Sequence, residues 1–464
     1  MPKKLITILF ASLLVLSLVL SACAPPPAPV EEPAVEVPAV EESIAEVEEE
    51  EQVSGITIQF WHVYGADDPR GVHINALVDE FNATNEYGIT VESLDQGRYD
   101  DLEDKVNAGI QSGDLPNIAQ AYSSALINWH TVDAMVDLNQ FVSDTEYGLT
   151  EDELADIYPA VLEVGVTPAG LRIAWPLSQS VNSNVYNYTW AQELGFDSPP
   201  TTPEEFKEQI CAAAEANATD DDPETDSGKG YVYAPKASTF FSYMSAFGGD
   251  VINEDGTGYD FNTPETKAII MYINDLRDNG CAYTIESYAN PEQANRLALV
   301  TTSSTSGHKY YVGAFDEAGN EDEWGFLPFL GPDGGVGSVT WIQTLGVMKS
   351  NPEQELASWL FIKFLTSAEN QATWIRASGY LPTHFSTAEM VVDYVDTVPQ
   401  YQAALGIAAL DLAAEPEAFP AWNSVRRAFE DTLAMLYTAV DEAEVEAMLV
   451  ELNITAAELV AEIE

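Results

Sequence analysis

The chain has 464 residues, 46% hydrophobic and 10% aromatic, enough apolar mass for two or three domains or for two lobes sharing one chain. Eighteen Lys and Arg against 76 Asp and Glu leave a net charge of −58 at pH 7. A surface of that sign repels polyphosphates and anionic lipid, which argues against nucleic acid as a partner and against a basic membrane patch.

Lys3 and Lys4 precede an apolar run over residues 5–20, followed by Leu20-Ser21-Ala22-Cys23. This is the layout of an export signal, expected over 1–22. At about 16 residues the run is short for a bilayer, which needs roughly 20. The Leu-Ser-Ala-Cys ending resembles a bacterial lipobox and implies a lipidated Cys23 as the mature N-terminus. Residues 24–54 carry six prolines between 25 and 38 and a run of glutamates, with no Lys or Arg. Stiff, self-repelling and without large apolar groups, 23–54 reads as an extended acidic tether.

The body opens with an alternating strand over 55–61. Ile74, Leu77, Val78 and Phe81 follow at helical spacing. A second strand is predicted over 89–94, then a helix from Tyr99 with Leu102, Val106 and Ile110 on one face. Ser112-Gly113 stops it, and a third short strand is predicted over 115–119. This alternation implies a largely parallel sheet with crossover helices, whose ligands gather past the carboxyl ends of the strands. The residues there are Trp61-His62-Val63-Tyr64, then 95–99, then Tyr122-Ser123-Ser124, rich in rings and hydroxyls. Further on, 172–186 reads as a strand and Thr202 caps a helix through Phe206. The acidic stretch 219–230 lacks calcium-loop spacing. Further helices are predicted from Pro264 to a stop at Gly280, from Pro352 through Leu365, and over 423–439 with the C-terminal tail.

Three cysteines and five scattered histidines form no zinc pattern. No His-Glu-x-x-His, Gly-x-Ser-x-Gly, phosphate-loop or dinucleotide motif occurs. Most motif-defined enzyme classes lose support here, although the absence of a motif excludes none of them; no catalytic residue, metal or cofactor is named.

Across about 400 residues the chain resembles the solute-binding lipoproteins of ATP-binding-cassette (ABC) importers, carbohydrate family 1, which includes maltose-type and glycerol-3-phosphate-type receptors. The stretches that carry the resemblance are Ile58-Gln-Phe-Trp-His62, Gly97-Arg-Tyr99, Ser112-Gly-Asp-Leu-Pro-Asn117, Ala357-Ser-Trp-Leu-Phe-Ile-Lys-Phe-Leu-Thr366 and Ser378-Gly-Tyr-Leu-Pro382. Each is weak alone; their order behind a lipobox and tether is specific. The chain departs from the family at Asn187-Tyr188, where Asn-Lys is usual, and in its acidic last helix. The resemblance implies an α/β fold of two lobes, the type II periplasmic-binding-protein-like fold, with three crossing segments and a ligand cleft between the lobes. The expected first lobe is 55–178 plus 302–345, the second 179–301 plus 346–464.

It also implies a monomeric receptor, not an enzyme, that closes on a small carbohydrate outside the cell and delivers it to ABC permease subunits. The receptor is held at the outer face of the membrane only by the lipid on Cys23. The residues placed to bind ligand are Trp61, Tyr99, Tyr122, Ser123, Phe241, Ser304, Ser306, Trp341, Gln343, Tyr380, Trp422 and Arg426. Trp61 and Phe241 read equally as core aromatics, and Ser304 and Ser306 as a polar hinge loop. Trp422 and Arg426 resemble the Trp-x-x-x-Arg stretch in which a tryptophan stacks on sugar, although a helix-start salt bridge is the preferred reading of Arg426. Cys211 and Cys281, the two cysteines left after Cys23, are expected to pair in an oxidising compartment, two free thiols being the other reading. The ligand expected is a neutral sugar, because rings stack on its C–H faces and few cations are placed to hold a phosphate. The alternatives are a glycerol-3-phosphate or glycerophosphodiester receptor, and a secreted glycosidase with paired carboxylates.

Overall fold

The structure is a computed structural model that describes residues 54–463 other than 168, 286, 287 and 418. Cys23, the leader and the tether up to residue 53 lie outside the described residues.

Strand β1 (Thr57–His62) turns Ile58, Phe60 and His62 inward. Helix α1 (Pro69–Thr84) starts where Pro69 needs no N–H partner and Asp68 caps the Arg70 amide. Then come β2 (Thr90–Asp95), α2 (Tyr99–Ser112), β3 (Ile118–Ala121) and α3 (Ser123–Thr131). The third strand begins later than its predicted 115–119. Pro116 has no amide for a ladder, and the Asn117 side chain, not its backbone, accepts from the Gln59 amide at 2.9 Å.

Strand β4 (Trp175–Asn187) leads to α4 (Pro203–Thr219), β5 (Tyr231–Tyr233), α5 (Ala237–Phe247), α6 (Pro264–Asp278), β6 (Ala282–Thr284) and β7 (Val300–Ser304). Helix α7 (His308–Ala318) and the short strands β8 (Trp324–Leu327), β9 (Phe329–Leu330) and β10 (Val336–Gly337) precede β11 (Thr340–Val347). The last longer helices are α8 (Pro352–Leu365), α9 (Ala368–Ser378), α10 (Pro399–Ala408), α11 (Trp422–Leu436) and α12 (Glu442–Ile463).

The main sheet runs β2-β1-β3-β11-β4-β7-β5-β6, with β8 on the second half of β4. β1 is parallel to β2 and β3, and β5 is parallel to β6 and β7. The long β4 and β11 are antiparallel to their neighbours and carry the chain between the two parallel ends. Trp175 of β4 pairs with Leu345, while Tyr186 of the same strand pairs with Val300. β4 is thus the first crossing, β11 the return, and the chain after α9 the third.

A parallel sheet needs cover on both faces. One face of β1–β3 packs on α1 and α8, through Phe60, Phe81, Trp359, Phe361 and Ile362. The other packs on α2 and α3, through Leu102, Val106, Leu126 and Trp129. This packing differs from the lobe boundaries expected from the resemblance. Residues 352–380, expected in the second lobe, supply the cover that β1 and α1 require in the first. Of 302–345, expected in the first lobe, Phe329, Leu330 and Val339 sit in the second-lobe core with Phe240, Trp422 and Phe429. Tyr311 and Phe315 of α7 join Trp324, Phe326 and Val185, in a third cluster where α9 and α10 also meet.

Cys211 and Cys281 form a disulfide between α4 and the turn after α6, with Cα atoms 4.7 Å apart.

Candidate ligand site between the lobes

Gln120, in the otherwise apolar β3, donates through Nε2 to the hydroxyls of Tyr64 (2.8 Å) and Tyr99 (3.2 Å). Tyr64 donates to Gln343 Oε1 at 3.2 Å, and Gln343 Nε2 donates to Tyr380 Oη at 2.6 Å. Tyr64 lies past β1, Tyr99 opens α2, Gln343 is on β11 and Tyr380 follows α9. Five segments distant in sequence thus meet at the carboxyl ends of the first-lobe strands.

The positioning is local in origin. The Tyr64 amide donates to His62 Nδ1 at 3.2 Å, so the proton of this buried imidazole sits on Nε2 and is given to Ser93 Oγ at 2.8 Å. Burial pushes the His62 pKa down to about 4 against the opposing charge of Asp95, which keeps the ring neutral at pH 7. Gly379 ends α9 at φ 79°, a conformation that favours glycine, and a Cβ there would collide with the His308 ring. Tyr380 is thereby turned under Trp374, with ring centroids 5.8 Å apart.

Tyr64, Gln120, Gln343 and Tyr380 are buried, whereas Trp61, Tyr99, Tyr122, Ser123 and Trp341 are partly open. The Tyr99 and Tyr122 rings lie 4.6 Å apart. Burial first, then neighbouring tyrosines, holds the hydroxyls of Tyr64, Tyr99 and Tyr122 well above the usual phenol range. They remain protonated donors. Trp61 has a buried Nε1 with no partner. Ser304 ends β7 and Ser306 follows it, their hydroxyls 3.0 Å apart, and both are partly open.

Two candidates lie in the core. Phe241 is 4% exposed and Trp422 1%, their rings 5.7 Å apart within the second-lobe core. Trp422 shares the buried face of α11 with Val425, Phe429, Leu433 and Leu436, so helical geometry points it inward rather than at a sugar. Arg426 is clamped by carboxylates: Nε meets Glu415 at 2.6 Å and Nη1 meets Glu430 at 3.1 Å.

Sequence reasoning left Gln120 out and gave Tyr64 no place among the named ligand residues. The one polar side chain in Ile118-Ala-Gln-Ala121, all buried, was the available signal for Gln120. Two cavities of about 460 and 520 Å³ lie elsewhere on the first lobe, lined by Tyr87, Lys363 and Phe364 and by Asp156 and His384. Among the described residues no cluster of His, Cys, Asp and Glu could hold a metal ion, and no helix is long and apolar enough to cross a membrane.

Residues 76–403 match the bacterial extracellular solute-binding protein family. The sn-glycerol-3-phosphate-binding periplasmic protein UgpB of Salmonella typhimurium is 22% identical over 362 residues, covering 74% of this chain and 78% of that protein. UgpB of Escherichia coli strain K12 is 23% identical over 342 residues, covering 70% and 74%. The cyclic alpha-maltosyl-1,6-maltose binding protein from Arthrobacter globiformis superposes with a TM-score of 0.71 at 20% identity, covering 88% of this chain and 99% of that chain. UgpB from Mycobacterium tuberculosis, in complex with glycerophosphocholine, gives 0.73 at 19%, covering 88% and 98%. All of these are binding proteins. The fold is the two-lobe, type II periplasmic-binding fold they share, and with most of its length matched the chain belongs to the bacterial extracellular solute-binding protein family.

Proposed function

We propose that the chain is the receptor of an ABC importer, capturing a neutral sugar or short oligosaccharide in the cleft and presenting it to a permease by lobe closure. The observation that carries this is the tyrosine–glutamine wall. Its hydroxyls and amides stay neutral, and the partly open rings of Trp61, Tyr99, Tyr122 and Trp341 flank it. Amide and hydroxyl groups exchange hydrogen bonds with sugar hydroxyls, and rings cover C–H faces. The nearby cations are already neutralised, Arg426 by Glu415 and Glu430 and Arg70 by Asp68. A phosphate would have to displace those carboxylates.

The receptor works without chemistry of its own, as a monomer tethered outside the cell through a lipid on Cys23. Ligand binding shifts the population from open to closed. A glycerophosphodiester ligand is the second reading, favoured by the likeness to UgpB at 22–23% identity. Isothermal titration with maltooligosaccharides, glycerol-3-phosphate and glycerophosphocholine separates the two. Sugar binding lost on Tyr99→Ala supports the first; binding of the phosphates alone overturns it. Unaltered polysaccharide after long incubation argues against a glycosidase.

A further inference from the structure

We infer that two polar contacts across the cleft, Tyr310 with Asp68 and Asn423 with Glu103, clasp the lobes shut and set ligand affinity without touching the ligand. This rests on the receptor reading above but not on which solute is bound.

Asp68 caps α1 and also accepts from the Tyr310 hydroxyl at 2.7 Å. Tyr310 is on α7, whose Tyr311 and Phe315 pack against Trp324 and Phe326 of β8, the strand paired with the second-lobe end of β4. The same carboxylate holds Arg70 through Nε at 3.0 Å and Nη2 at 2.6 Å. That guanidinium stands 5.3 Å from the Tyr64 ring centre and 5.4 Å from that of Tyr310. Tyr64 is the tyrosine whose hydroxyl joins Gln120 and Gln343. The ligand wall therefore connects through Arg70 to a contact with the other side of the cleft.

The second contact joins α2 to α11. Glu103 Oε1 accepts from Asn423 Nδ2 at 3.0 Å. Glu103 belongs to a helix that packs Leu102 and Val106 into the first lobe, and Asn423 to one that packs Trp422 and Val425 into the second. Neither pair is part of a lobe core, so each lobe keeps its fold when the pair separates. What changes is the balance between open and closed, and apparent affinity scales with the closed fraction.

A single net hydrogen bond shifts that balance about fivefold. Tyr310→Phe removes only a hydroxyl and leaves the ring over Arg70; Asn423→Ala removes only the donor to Glu103. Small-angle scattering of the unliganded full chain, wild type against the double variant, is the deciding measurement. Circular dichroism and melting temperature confirm that both are folded. The double variant is expected to have the larger radius of gyration and, with a bound solute, a dissociation rate raised at least tenfold. Equal radii overturn the clasp whatever the titrations show. Failure of every sugar to bind, with the radii still different, overturns the sugar reading and leaves the clasp standing.

Discussion

Gln343 donates to the hydroxyl of Tyr380 at 2.6 Å, tying the crossing strand β11 to the turn that follows α9. Both side chains are buried, and the other end of Gln343 accepts from Tyr64. The amide thus pairs two phenols that have no water to fall back on. Gln343→Leu keeps the volume but takes the acceptor from the Tyr64 hydroxyl, which then has only Gln120, and the donor from the Tyr380 hydroxyl. We expect a loss of about 1–3 kcal/mol of stability and of at least tenfold in ligand affinity, read by denaturant unfolding and titration. Unchanged affinity with lowered stability would make the wall structural only.

Trp422 and Tyr99 should behave oppositely. Trp422→Ala opens a hole beside Phe241 and Tyr259 and is expected to cost about 3–5 kcal/mol. At temperatures where the variant stays folded, its ligand affinity should be close to wild type. Tyr99→Ala removes a partly open ring, with a smaller loss of stability and a large loss of binding. A melting curve and a titration for each variant check the contrast.

Acid and alkali should weaken the fold through different groups. The His62 pKa is depressed from 6.5 to about 4, so its contribution is whole above 6.5 and is lost as pH falls toward 4. Buried His308 acts in the same direction. Glu417 runs the other way. Burial and the neighbouring Glu415, against Arg426, push its pKa up from 4.5 to about 7. Its stabilisation is whole below 4.5 and is lost as pH rises through 7. Urea midpoints at pH 4, 6 and 8 should show Glu417→Gln more stable than wild type at pH 8 and equal to it at pH 4. His62→Gln should flatten the decline between pH 6 and 4.

The Cys211–Cys281 disulfide closes a loop of 70 residues. On the chain-entropy estimate such a loop contributes about 4 kcal/mol. Mature protein denatured without reductant should show no titratable thiol, and reduction should lower the unfolding midpoint accordingly. Two free thiols would refute the pairing.

Cys23→Ala should release the protein into the soluble fraction of its host, and mass spectrometry of the wild type should find an acylated N-terminal cysteine. A Cys23→Ala protein still held by residues 5–20 would refute cleavage at this position.

The sequence by itself determined the local periods. Alternation in β1, the helical spacing of Ile74 to Phe81, Thr202 as a cap and Gly113 as a stop depend on neighbours a few residues away, and each was legible. The strand–helix alternation carried the parallel sheet, and with it the end of the sheet where Tyr99 and Tyr122 stand. What only the tertiary structure decided was which surface each apolar face would cover. α8 reads as an amphipathic helix wherever it packs; it covers β1 because the parallel sheet had an open face there. For the same reason an aromatic ring reads alike in a core and in a cleft. Trp422 and Tyr99 differ only in what approaches them, Phe241 and Tyr259 in one case and Gln120 and Tyr122 in the other. The binding wall needs Gln120 and Gln343, more than 200 residues apart, to face the same tyrosine, Tyr64. No local pattern encodes that meeting; the crossing of β11 beside β3 does.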